Sequence, residues 1–140
     1  MNENVKLELG LKLNTLADLW QQFCEKHTEL YEATCEEYIH LMSSDMDKLE
    51  EIVAQKANII AKIDEYDRSR LDLIEEISKL LEIPMPEKMS ELLANENINK
   101  EFSERIEKLN LILLDIIENI MEQNRKNQFF LNKAIHSLNE

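Results

Sequence analysis

The sequence predicts an all-α fold, an antiparallel bundle or coiled coil of three long helices with a short helix in the linker before the last one. Glycine and proline, the residues that most often interrupt helices, occur only as Gly10, Pro84 and Pro86. Between them, apolar residues recur at alternating spacings of three and four, the heptad pattern of packed helices. The length of 140 residues predicts a single all-helical domain over residues 1–140.

The first helix is predicted from about residue 9 to 42. Its apolar seam begins at Leu9 and continues to Leu41. Residues 5–9 alternate like a strand, but a lone strand has no partner. We therefore interpret this segment as a frayed helix start, with Gly10 marking the edge of the helix.

The second helix is predicted from about residue 45 to 82. Leu41 and Leu49 are eight residues apart, one more than a heptad, and one extra residue rotates a helix face by about 100°. A tight turn near Ser44 explains this slip in the heptad pattern of the apolar seam. Such a turn lets the apolar seams of the first and second helices pack against each other and become buried. Ser44 with Asp47 three residues on resembles a capping box for the new helix.

A proline-containing linker is predicted over residues 83–98. Pro84 and Pro86 end the second helix, and residues 87–94 have the composition of a short helix. The third long helix is predicted from about residue 99 to 138.

The third helix has a wider apolar face than a surface helix needs. Apolar side chains between residues 109 and 121 cover an arc of about 200°, whereas little more than about 100° is usual. Asn124 and Asn127 interrupt the stripe, which resumes at Phe130. Two interpretations are equally open. In the first, the whole apolar stripe of the third helix belongs to the core. In the second, the first two helices form a self-sufficient hairpin, and the third helix has more apolar surface than this hairpin needs, so the excess binds a partner.

The net charge of the chain limits the classes of partner that it can bind. The formal net charge is −13, so nucleic acid and anionic membrane surfaces are disfavoured, and a basic protein partner or solubility explains the acidity. No apolar run approaches the length that spans a bilayer, and the first residues do not form a signal peptide. Cys24 and Cys35 lie too far apart along one helix for a disulfide, which fits a reducing cytoplasm.

The motifs that carry chemistry are incomplete. Glu37 and His40 have the spacing found in di-iron bundles, but the second such pair is missing. Cys24 with His27 offers two ligands against the four of a structural zinc site, and His27 is expected in the core. The chain has no glycine-rich phosphate loop and no serine nucleophile motif. The sequence therefore predicts no enzyme, no metal site and no cofactor.

Two cationic residues, Lys56 and Arg70, lie on the second seam. We expect them to pair with acidic neighbours or to lay their aliphatic stems along apolar surface. The alternative is that they fix the register of the helices or contact a partner.

Three blocks of the sequence, in this order, match the pattern of a known family. The first block, residues 47–70, contains Leu49, Ile52, Lys56, Ile59 and Ile63 and ends in Asp67-Arg68-Ser69-Arg70. The second, residues 81–93, contains Leu81-Glu82-Ile83-Pro84 followed by Met89-Ser90-Glu91-Leu92-Leu93. The third, residues 120–138, contains Ile120, Asn124, Asn127, Phe130, Leu131, Ala134, Ile135 and Leu138. With the acidic charge and the length, this pattern resembles the FlgN-type chaperones of flagellar type III export over about residues 13–138. The chain departs from it at Ile83, where a glycine is common.

This resemblance implies a cytoplasmic chaperone without enzymatic activity. Such proteins bind the C-terminal regions of hook–filament junction (hook-associated) proteins, prevent their premature assembly and deliver them to the type III export apparatus. In the family the C-terminal helix binds the client, which here implies Ile120, Asn124, Asn127, Leu131, Ile135 and Leu138. We expect helix-in-groove capture by a partly mobile third helix, with Asn124 and Asn127 setting the register.

Two other classes of protein remain as alternatives. A structural coiled-coil scaffold with no exported client would be a permanent oligomer, whereas a chaperone would be a monomer or a weak homodimer. A metal-dependent bundle enzyme would contain iron or zinc.

Overall fold

A computed structural model of the protein describes residues 1–138. Over these residues the chain is all-helical, with four helices and no strand. The helices are α1 (Glu3–Ser43), α2 (Met46–Leu80), α3 (Met89–Leu93) and α4 (Lys100–Leu138). The predicted all-α fold class is thus confirmed.

Asparagine or aspartate caps the N-terminus of α1, α2 and α4. The side-chain oxygens of Asn2, Asp45 and Asn99 accept hydrogen bonds of 2.9, 3.2 and 2.7 Å from the backbone N–H three residues on. Each bond satisfies a donor that the helix leaves without an intrahelical partner. The predicted capping box of Ser44 with Asp47 is wrong, because Ser44 belongs to the preceding turn and Asp45 is the cap of α2.

The chain leaves α1 and α2 through the same kind of turn. Ser44 and Glu82 follow the two helices with φ of 55° and 56°, in the left-handed region that normally favours glycine. In both turns the N–H of the next residue donates a hydrogen bond of 3.1 Å to the carbonyl five positions back. This is the Schellman arrangement, and it confirms the tight turn predicted from the slip of the apolar seam.

Gly10 does not mark a helix edge, which corrects the sequence-based interpretation. Helix α1 begins at Glu3 and continues through Gly10, whose φ is not positive. A glycine inside a helix costs only about 1 kcal/mol relative to alanine. The burial of Leu9 and Leu13 on either side outweighs that penalty, so the helix is not interrupted.

The described chain divides into two compact units. Unit 1 contains residues Met1–Phe23 and Asp64–Ile112, and unit 2 contains residues Cys24–Ile63 and the chain from Leu113 onward. Helices α1, α2 and α4 each contribute residues to both units.

The core of unit 1 is apolar and draws on every helix. Its largest fully buried side chains are Leu16, Trp20, Ile77, Leu92 and Ile106. Leu92 lies on α3 and Ile106 on α4, so the linker and the last helix complete this core. The expected self-sufficient hairpin is therefore wrong for unit 1.

The core of unit 2 contains more polar groups. Its buried apolar residues are Cys24, Ala33, Ile52, Leu113 and Ile120, and its buried polar residues are His27, Thr34 and Asn127. Neither Cys24 nor Cys35 forms a disulfide, as predicted. Buried polar side chains require hydrogen-bond partners, and this requirement shapes the site described next.

Candidate functional site

A groove of about 310 Å³ opens in unit 2, between the last turns of α1, the first turns of α2 and the C-terminal half of α4. Its apolar walls are formed by Leu41, Leu49, Val53 and Leu131. Its polar lining is formed by Glu37, Asn124, Asn127 and Gln128. A groove with apolar walls and a few fixed polar groups is the usual form of a site for an amphipathic segment.

Asn127 joins α4 to α1 at the base of this groove. Its carboxamide nitrogen donates hydrogen bonds of 2.8 Å to Glu37 Oε1 and 3.0 Å to the backbone carbonyl of Thr34. Its carboxamide oxygen accepts a bond of 3.0 Å from Gln123 Nε2. The side chain is therefore satisfied inside the protein and sets the position of α4 along α1.

Glu37 also joins α1 to α2. The ammonium group of Lys56 donates a hydrogen bond of 3.2 Å to Glu37 Oε1, and both side chains are largely buried. The predicted pairing of Lys56 with an acidic neighbour is thus confirmed. Removing the two charges from water costs free energy that offsets their attraction, so a partly buried ion pair adds little stability. Its main effect here is to fix the position of α2 relative to α1.

An aromatic contact holds α4 against α1 a short distance from this network. The rings of Tyr38 and Phe130 meet edge to face, with centroids 5.9 Å apart and an interplanar angle of 74°. Such pairs contribute about 0.5–1.5 kcal/mol beyond the area they bury. The C-terminal half of α4 is therefore fixed to α1 by polar and apolar contacts together.

Tyr31 lies on α1 of the same unit but does not line the groove. A side-chain hydrogen bond with Cys35 raises the pKa of Tyr31 above its ordinary value, with a smaller electrostatic contribution from the same residue. The phenol therefore remains neutral at physiological pH, and this part of α1 gains no charge from it.

Two of the predicted client-binding residues are buried. Ile120 packs inside unit 2, and only 5% of Asn127 is exposed. Ile120 belongs to the apolar core of unit 2, and Asn127 forms the hydrogen-bond network with Glu37.

The other four predicted residues are exposed along α4. Asn124 and Leu131 line the groove, and 39% of Leu131 is accessible. Ile135 and Leu138 lie beyond it, with exposures of 49% and 86%. The predicted set thus separates into two buried residues and four exposed ones.

The sequence interpretation missed the groove walls that come from α1 and α2. Leu41, Leu49 and Val53 were not predicted as site residues, although Leu41 and Leu49 flank the slip of the seam. The slip of the seam could have indicated these walls, because it predicts a turn, and residues on either side of a turn lie close to each other in space.

The apolar surplus predicted for α4 is present on the surface. Within the predicted arc, Leu113 and Ile120 are buried, whereas Ile112, Leu114 and Met121 are exposed. Leu114 and Met121 are seven residues apart and lie on one face of α4, and a contiguous apolar patch of that kind is typical of an interaction surface.

Residues 1–138 contain neither a candidate metal site nor a candidate membrane span. They contain no group of three or more histidine, cysteine, aspartate or glutamate side chains arranged to hold a metal ion. None of the helices in this range is long and apolar enough to cross a membrane.

Comparison with protein families gives one finding for this chain. The family model FlgN, described as "FlgN protein", matches residues 11–140, nearly the whole chain. No match was found among curated proteins or among solved structures.

Proposed function

The chain belongs to the FlgN family, and on that premise we propose that it binds hook-associated proteins in the groove of unit 2, beside the C-terminal half of α4. Membership of this family implies a general role as a flagellar export chaperone. The bound client is kept from premature assembly and is delivered to components of the type III export apparatus.

The open groove is the observation that supports this proposal most strongly. It presents Leu41, Leu49, Val53 and Leu131 around a space of about 310 Å³. Half of the Val53 side chain and more than a third of Leu131 are exposed in the free protein. An amphipathic client helix would bury these side chains with anchors one helical turn apart.

The exposed residues beyond the groove extend the same surface. Leu131 and Ile135 are four residues apart, so they lie on one face of α4 and a client helix contacts both. Fully burying an aliphatic side chain of this size contributes about 1.5–3 kcal/mol. Because 39% of Leu131 and 49% of Ile135 is exposed before binding, burying the remainder contributes roughly half of that amount for each residue.

The two asparagines have different roles in this proposal. Asn124 is accessible in the groove and forms hydrogen bonds with the client that set its register. Asn127 keeps its bonds to Glu37 and Thr34 and holds the groove open.

The arrangement of the helices and the cellular location of the protein are part of this proposal. We propose an antiparallel coiled-coil bundle that forms one domain over residues 1–140, because α1, α2 and α4 contribute to both compact units. The protein acts in the cytoplasm by binding alone, without catalysis, as a monomer or a weak homodimer.

Co-purification with hook-associated proteins tests this function. The purified chain should form a complex with one or more purified hook-associated proteins of its own source and should delay their polymerisation. Ile135→Asp should weaken the complex. Retention of no hook-associated protein would contradict the proposed function, and a complex that Ile135→Asp does not weaken would contradict the proposed site. Sedimentation at several concentrations tests the scaffold alternative, which requires a permanent oligomer.

A further inference from the structure

The α4 wall of the groove in unit 2 carries polar groups that residues 1–138 leave without partners. Asn124 lines the groove and is exposed, and its carboxamide forms no hydrogen bond with any of these residues. Gln128 donates a bond of 2.9 Å from Nε2 to Asn132 Oδ1, but its own carboxamide oxygen accepts none from the described chain. This wall therefore presents both donors and acceptors to whatever enters the groove.

Glu37 adds an acceptor from α1. Its Oε1 accepts the bonds from Asn127 and Lys56, whereas its Oε2 accepts none from the described residues. Oε2 remains accessible to solvent, and about 18% of the Glu37 side chain is exposed. Because the Lys56 ammonium lies 3.2 Å from Oε1, it offsets the charge of the carboxylate. Glu37 therefore offers a hydrogen-bond acceptor without a net negative charge.

The polar groups and the apolar wall of α4 follow each other along one face of the helix. Asn124 and Gln128 are four residues apart, so their side chains are neighbours one turn apart. Leu131 follows three residues later and continues the same face with an apolar side chain. A segment that lies along α4 thus meets carboxamides over one turn and an apolar wall over the next.

A segment that covers the groove removes these polar groups from water, and their loss of hydration decides which side chains fit. A wholly apolar face would leave Asn124, Gln128 and Glu37 Oε2 unsatisfied, which is costly. Lysine and arginine only donate hydrogen bonds, and ionised aspartate and glutamate only accept them. A charged side chain would also lose its own hydration between the apolar walls. A carboxamide donates and accepts at once and carries no charge, so it matches this lining.

We propose that the groove selects a helical client segment that carries an asparagine or glutamine one helical turn from an apolar anchor. The client carboxamide accepts a hydrogen bond from Asn124 and donates to Gln128 or Glu37, while the anchor packs against Leu131. Asn124, Gln128 and Glu37 are then the residues that determine specificity. This selectivity rests on the function proposed for the groove, and it adds the chemical class of the residue that the client presents.

Calorimetric titration of the full-length protein with four helical peptides tests this selectivity. The peptides are acetylated and amidated, carry leucine at the heptad a and d positions, and differ only at one central d position. That position is glutamine, leucine, lysine or glutamate. The glutamine peptide should bind about tenfold more tightly than each of the others, because it alone satisfies both the donors and the acceptors of the groove.

Variants of α4 assign the preference to the groove. Asn124→Leu and Gln128→Leu change exposed residues, so both should keep the fold, which circular dichroism checks. Each should reduce the preference for the glutamine peptide over the leucine peptide to about threefold or less. Asn119→Leu makes the same change at an exposed position of α4 outside the groove lining and should keep the full preference.

Four results would overturn the proposed selectivity. They are binding of the leucine peptide as tight as that of the glutamine peptide, tighter binding of a charged peptide, binding of none of the four, and an unchanged preference in both groove variants. The complex with hook-associated proteins is measured separately. If that complex forms while the peptides show no preference, only the selectivity fails, whereas absence of the complex contradicts the proposed function itself.

Discussion

Asn127 on α4 donates a hydrogen bond of 2.8 Å to the carboxylate of Glu37 on α1. The same carboxylate oxygen accepts a hydrogen bond from Lys56 on α2. Through Glu37, one buried network therefore joins all three helices that form the groove of unit 2. Buried polar networks of this kind fix a unique arrangement when every member is satisfied.

Asn127→Ala should lower the free energy of unfolding by about 2 kcal/mol, because it removes the side-chain hydrogen bonds to the Thr34 carbonyl and to Glu37. Urea denaturation followed by circular dichroism measures the change. Asn124→Ala is the matched control: it removes the same amide from the exposed side of the groove and should change stability by less than about 0.5 kcal/mol. Equal losses in the two variants would show that Asn127 does not support the groove.

Gly10→Ala should stabilise the protein by about 0.5–1 kcal/mol. Gly10 lies inside α1, and an added Cβ would meet no neighbouring atom within 4 Å. Gly10→Ser, with an intermediate helix propensity, should fall between glycine and alanine. Thermal unfolding ranks the three proteins, and a lower melting temperature for Gly10→Ala would mean that α1 does not continue through this position.

Glu82→Gly should also stabilise the protein, by about 1 kcal/mol, because a left-handed conformation is costly for any residue that carries a Cβ. Glu82→Ala separates this effect from the loss of the carboxylate, since alanine keeps the Cβ and should give no such gain. Unfolding free energies measured in urea test both variants. A gain with alanine equal to that with glycine would assign the effect to charge.

Asp45→Ala should destabilise the start of α2 by about 1 kcal/mol, because the Lys48 N–H loses its cap. Asp45→Asn keeps an acceptor and should retain most of the stability. Ser44→Ala serves as the comparison, since Ser44 is not the cap and its replacement should have a smaller effect. A larger loss of stability in Ser44→Ala than in Asp45→Ala would show that Ser44 caps α2, as the sequence suggested.

The apolar spacing was sufficient to predict the helices and the turn near Ser44, because burial of the seam dominates the energetics of long helices. The misinterpretation of Gly10 has a simple cause: the local penalty of a glycine is smaller than the burial of Leu9 and Leu13 around it. Local pattern also could not distinguish Asp45 from Ser44 as the cap, because the choice depends on which residue adopts the left-handed turn.

The candidate site was only partly predictable for a different reason. Asn124 and Asn127 are close on the helical wheel, so the sequence does not indicate which of them faces α1. Burial depends on the position of α4 against α1, which the contacts of Glu37 and Thr34 determine. The groove walls from α1 and α2 likewise result from packing between distant parts of the chain.

The central claim is that hook-associated clients bind in the groove beside α4, and one titration tests it most directly. The affinity of a purified hook-associated protein is measured calorimetrically for the wild type, Leu131→Asp and Phe129→Asp. Both variants introduce the same charge on α4, but Leu131 lines the groove, whereas Phe129 is 67% exposed and lies outside its lining. We expect at least about tenfold weaker binding for Leu131→Asp and wild-type affinity for Phe129→Asp. Unchanged binding by Leu131→Asp, or equal losses in both variants, would contradict it.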